Sequence, residues 1–139
     1  MTLADARTLL AEGQYTLVAA ANGVVYTDKA RGVAPLLSLL EGGVSLANGV
    51  AADRVVGRAA AYLYCLLGAR ELYAGVVSTG ALEVLAAGGI AVSFGEAVPA
   101  IKNRKGDGFC PMETATKSFA PTDKEGALAA ILATKARLG

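Results

Sequence analysis

The chain has 139 residues and a formal charge of +1, so no global field draws it to nucleic acid or to an anionic membrane. Hydrophobic residues make up 54% and charged residues 18%, which fits one domain burying roughly 70% of its unfolded surface. There is no histidine and there are only two cysteines, which excludes a zinc hydrolase of the usual kind.

Met1-Thr2-Leu3-Ala4-Asp5 shows no basic segment leading into an apolar run, so no secretory signal is expected. No stretch of about 20 apolar residues reads as a membrane span. Without a secretory context the two thiols are expected to stay reduced, in a cytoplasmic protein.

Thr2 to Asp5 reads as a capping box opening a short helix, with Leu3, Ala6, Leu9 and Leu10 as its apolar stripe and Gly13 as its end. Two strands, residues 15–18 and 24–26, flank Asn22-Gly23, a strong hairpin signal. A helix follows over residues 33–40, with Pro35 tolerated in its first turn and Gly42-Gly43 as its stop. The clearest helix is expected over residues 53–68, burying Val55, Val56, Ala59, Ala60, Leu63, Leu66 and Leu67, with Asp53 in an acidic first turn.

Residues 71–77 read as a buried strand, Thr79-Gly80 opens a helix to Ala87, and residues 90–94 form another strand. Strand, helix, strand in so short a space predicts a right-handed crossover and a parallel pair. Residues 95–109 read as a long loop with a short strand over 98–101, and such loops are functional or disordered. Thr122-Asp123-Lys124-Glu125 reads as a second capping box, opening a C-terminal helix to about Arg137. The class is α/β, with a mixed sheet that starts with an antiparallel hairpin and is packed by helices.

Three segments taken in order carry a resemblance. They are Arg31-Gly32-Val33-Ala34-Pro35-Leu36-Leu37, the stretch from Asp53-Arg54-Val55 to Ala61, and Asn103-Arg104 leading into Cys110-Pro111-Met112-Glu113. Together they resemble a family of small prokaryotic proteins of undefined function in the cytidine-deaminase-like fold superfamily. The resemblance implies a single domain over residues 1–139 with a three-layer deaminase-like fold. It also implies a pocket at the starts of two helices, and a tendency to form homo-oligomers. True deaminases hold zinc there with His or Cys ligands and use a glutamate to move the proton. Here those starts offer Asp53 and Ser78-Thr79-Gly80, so neither zinc nor another cofactor is expected.

Cys110-Pro111-Met112-Glu113 has two readings. With Cys110 as N-cap, Glu113 falls at the third helical position and can reach back to the cap N–H, a complete structural explanation. Cysteine is a poor cap, however, and a thiol at a helix start beside Lys102, Arg104 and Lys105 can become a nucleophile, with Glu113 and Asp53 managing protons. Arg54 and Arg58, four apart, are expected on one helical face, either lining the pocket with Asp53 or facing solvent. Ser78 and Thr79 offer a helix start for a phosphate or an ordinary cap, and Asn103 and Arg104 form a basic, glycine-rich rim or a solvated turn. Cys65 reads as core. The leading expectation is a metal-free module binding a nucleotide-like or other phosphorylated small molecule. The alternatives are a Cys110 hydrolase or transferase and an oligomeric interaction protein.

Overall fold

The computed structural model describes residues 1–103, 105–106 and 108–138. Helix α1 (Leu3–Glu12) leads into strands β1 (Leu17–Ala21) and β2 (Val24–Asp28), followed by helix α2 (Ala34–Glu41). Strand β3 (Val50–Val56), helix α3 (Arg58–Leu67), strand β4 (Glu71–Ser78), helix α4 (Thr79–Ala87) and strand β5 (Ala91–Val98) come next. The short helix α5 (Pro111–Thr116) and helix α6 (Lys124–Leu138) end the described chain.

The strands form one open mixed sheet in the order β2-β1-β3-β4-β5. β1 is antiparallel to β2 and to β3, whereas β3, β4 and β5 run parallel. The hairpin closes in two residues, pairing Ala21 with Val24. Asn22 and Gly23 both adopt positive φ, 55° and 77°, the backbone that suits the strand twist. The capping box at Thr2 is present, with Asp5 as its reciprocal partner.

The period-2 alternation of β1 sorts the core into two layers. Leu17, Ala19 and Ala21 join the large cluster under α2, α3, α4 and α6, while Val18 and Ala20 join Ala6 and Leu10 of α1 on the opposite face. α3 is apolar nearly all round because it is central, burying Ala59 to Tyr64 and Leu67. α1 covers β1 and β3 but little of β4, so the far half of that face stays bare. No helix among the described residues is long and apolar enough to cross a membrane.

The structure departs from the sequence expectation in four places. Residues 50–56, expected to run into a helix at Asp53, form the central strand β3, and the helix begins only at Arg58. The alanines there suit a strand squeezed between β1 and β4 whose first three residues are all buried, where an apolar run replaces alternation. Arg54 and Arg58 therefore share no helical face. The strand expected over residues 98–101 is not formed as such: β5 ends at Val98, and beyond it only a single bridge joins Lys102 to Phe109. The last helix is capped by Asp123, whose Oδ1 accepts from Gly126 N–H at 3.0 Å, rather than by Thr122.

Candidate functional site

The two parallel crossovers bring the starts of α3 and α4 side by side beyond the carboxyl ends of β3 and β4, where ligands commonly sit in open α/β sheets. In this chain a side chain of its own sits there. Glu113 Oε1 accepts the Arg58 backbone N–H of α3 at 2.5 Å and the Ser78 hydroxyl at 3.0 Å, and Ser78 in turn caps α4 by accepting from Ala81 N–H at 3.1 Å. Helix starts carry partial positive charge and unpaired donors, so a carboxylate is the natural occupant. Glu113 is 9% exposed, and Gly57 is what lets it in: a Cβ there would lie 2.5 Å from Glu113 Oε1 and 3.1 Å from Ile101 Cγ1.

Arg58, 7% exposed, locks the same corner. Its guanidinium donates to the carbonyls of Thr116 (3.1 Å), Gly80 (3.1 Å) and Phe119 (2.7 Å), and pairs with Glu83 at 3.2 Å. Tyr62 adds its hydroxyl to the carbonyls of Phe119 and Ala120. Four elements, α3, β4, α4 and α5, and the segment that follows α5 thus meet through one cation and one carboxylate. The zinc of true deaminases does not fit this corner. Its carboxylates, Glu113 and Glu83, are engaged by Ser78 and Arg58, and the chain has no imidazole to complete a ligand set. Among the described residues no three His, Cys, Asp or Glu side chains gather in a metal-holding group.

The other expected site residues separate. Asp53 points under α3 from mid-strand, where Tyr64 donates its hydroxyl to Oδ2 at 2.7 Å and Val55 N–H reaches Oδ1 at 3.3 Å. Burial pushes the Asp53 carboxyl up to about 7 against the hydrogen bonds that favour its charge, and burial also drives the Tyr64 hydroxyl well above its usual value. Tyr64 lies six residues beyond Arg58, roughly 9 Å along the helix at 1.5 Å per residue, so Asp53 and Glu113 do not form one constellation.

Cys110 is the N-cap of α5, but its side chain makes no capping bond. Glu113 does not reach back to it as the sequence suggested: the Cys110 N–H donates to Ile101 O at 2.8 Å, while Glu113 turns inward to Arg58 and Ser78. Thr79 donates its hydroxyl to Pro99 O at 3.2 Å, holding the chain after β5 against α4. Asn103 closes a loop tip, its N–H donating to Gly108 O and its carbonyl accepting from Gly106 N–H. Arg104, expected on the rim, lies outside the described residues. Cys65 is half-buried, and burial pushes its thiol up.

A second concavity lies on the other face of the sheet, between α1 and the β3–β4 surface. This open cleft, of about 890 Å³, is lined by Arg7, Thr8, Arg54, Tyr73, Gly75 and Val76. The Arg7 guanidinium lies 3.9 Å from the centroid of the Tyr73 ring, and Arg54 is tethered through Nε to Tyr15 O. The ion pairs among the described residues are Arg58–Glu83 and Arg70–Glu71, so neither cleft arginine has an acidic partner. A Cβ at Gly95 would lie 3.4 Å from the Tyr73 hydroxyl and 2.8 Å from Gly75 O, so glycine there makes room for the cleft wall.

Arg7 and Tyr73 were missed in the sequence, though both leave a trace. Ala4, Arg7, Thr8 and Ala11 fall at helical spacing on a flank of α1 beside its apolar stripe, and Glu71, Tyr73 and Gly75 alternate along β4.

The profile of the family described as "Domain of unknown function (DUF1893)" matches residues 5–131. The fold is similar to the crystal structure of a DUF1893 family protein (TM1506) from Thermotoga maritima. The TM-score is 0.86 and the identity 24%, over 94% of this chain and 88% of that one. At that identity the likeness speaks for the fold alone. No curated protein is significantly similar in sequence.

Proposed function

The chain belongs to the DUF1893 family, and we propose that it is a metal-free, non-catalytic binding protein of cytidine-deaminase-like architecture that takes a phosphorylated small molecule between α1 and the sheet. The strand order β2-β1-β3-β4-β5 with its two parallel crossovers supports the deaminase-like part of this reading. The observation that carries the ligand is the pair Arg7 and Arg54, two guanidinium groups without a carboxylate partner lining one cleft of about 890 Å³. That volume falls in the range of small-molecule sites, and guanidinium groups match phosphate oxygens in pairs. Stacking on Tyr73 holds the Arg7 plane while its N–H edges stay available.

The corner between α3 and α4 is a poorer seat, because Glu113 already holds the donors that a phosphate would use. The same contacts favour binding over catalysis. A Cys110 nucleophile would need Glu113 as its base, and that carboxylate is engaged by Arg58 and Ser78.

Thermal unfolding with nucleotides, sugar phosphates and pyrophosphate tests the reading. A compound at 100 times its Kd adds about 2.7 kcal/mol, a shift of several degrees. The Arg7→Ala/Arg54→Ala double variant is expected to fold normally and lose the shift. A full shift in the double variant would move the ligand elsewhere, and no shift with any phosphorylated compound would remove the reading.

A further inference from the structure

We propose that β5 pairs edge to edge with β5 of a second copy of this chain, joining two five-stranded sheets into one. β5 is hydrogen-bonded to β4 on one side only and is otherwise held chiefly by α4. Along its eight residues six are exposed and two half-buried. In a parallel pairing alternate residues turn their backbone outward, so the free edge offers about four N–H donors and four carbonyls.

Edge strands that stay alone are shielded by lysine, proline, short length or a cover. β5 has no lysine, arginine or proline, and Phe94 is 43% exposed at its middle. Residues 99–101 turn away from the edge, with Pro99 O held by the Thr79 hydroxyl at the start of α4 and Ile101 lying beside Gly57.

A second copy fits this edge on charge. The only charge in β5 is Glu96. An antiparallel pairing about a two-fold near Phe94 sets Glu96 of each copy against the Val92–Ser93 end of the other, so the two carboxylates do not face each other. The opposite edge, β2, is shorter, ends in Asp28 and runs straight into Lys29, a charged end of the kind that discourages pairing. The inference is independent of the ligand reading.

Sedimentation velocity from roughly 5 to 500 µM tests it, since an eight-residue edge is small beside a stable dimer interface and a micromolar Kd is expected. The wild-type mass should rise toward twice the 14.0 kDa of the chain. Phe94→Lys should stay monomeric with an unchanged thermal midpoint, and Val25→Lys on β2 should dimerise like wild type. As a second readout, Phe94→Cys should cross-link into dimers on mild oxidation and Val25→Cys should not. A wild type that stays monomeric throughout, a Phe94→Lys chain that dimerises normally, or loss of dimer in Val25→Lys alone would each overturn the proposal.

Discussion

The corner between α3 and α4 and the cleft under α1 lie on opposite sides of one sheet and treat charge in opposite ways. At the corner every charge is answered from within: Glu113 by a backbone N–H and a hydroxyl, Arg58 by three carbonyls and Glu83. In the cleft Arg7 rests on an aromatic ring and Arg54 on a single carbonyl, with no carboxylate for either. Buried charge that is fully paired ties elements together, whereas exposed charge without a counter-ion is available to something outside. The carboxyl ends of β3 and β4, where open α/β sheets commonly hold a ligand, form a structural clasp in this chain.

The comparison can be broken most forcefully at the clasp. Glu113→Ala strands the Arg58 N–H and the Ser78 hydroxyl in a buried corner, and is expected to cost about 3 kcal/mol in urea unfolding. Glu113→Gln keeps an acceptor oxygen and is expected to cost about 1 kcal/mol. If Glu113→Ala were as stable as wild type, the clasp would be incidental. Gly57→Ala tests the same corner by crowding, since its Cβ would press on Glu113 Oε1. A loss of about 1–3 kcal/mol is expected, and a neutral effect would mean the corner is looser than described.

Asp53 sharpens the contrast because it is a half-buried carboxyl with no ion-pair partner among the described residues. Its pKa of about 7 lies above the unfolded value of 3.8, so the folded chain holds more protons between those values. The stability tied to Asp53 is therefore fully present below about pH 4 and is lost as pH rises through 7. Asp53→Asn is expected to melt higher than wild type at pH 8, with the gap narrowing as pH falls below 7 and closing near pH 4. A gap that stays constant across this range would show that Asp53 does not titrate there. The smallest stability effect belongs to the cleft: Arg54→Ala should stay within about 0.5 kcal/mol of wild type.

Much of the frame could be read from local signals. The Thr2 capping box, the Asn22-Gly23 turn and the β4-α4-β5 crossover each rest on residues whose backbone preference decides the outcome. The central strand could not, because its first residues, Val50-Ala51-Ala52, are buried in succession without alternation, and alanine carries helix propensity. That one misreading placed Asp53 at a helix start and set Arg54 beside Arg58. Ser78 and Glu113 were both singled out as residues, but their partnership spans 35 positions and depends on a crossover that no local pattern reports. Arg7 and Tyr73 meet only when α1 folds back across the sheet.

The central claim is that an external anion is received in the α1 cleft while the α3–α4 corner remains closed. Amide chemical-shift mapping during titration with a phosphorylated compound that stabilises the fold tests this most directly. The account predicts perturbations at Arg7, Thr8, Arg54, Tyr73 and Gly75, with the amides of Arg58, Ala81 and Glu113 unmoved. Perturbations centred on Arg58, Ser78 to Ala81 and Glu113, with the cleft silent, would contradict it and return the ligand to the corner.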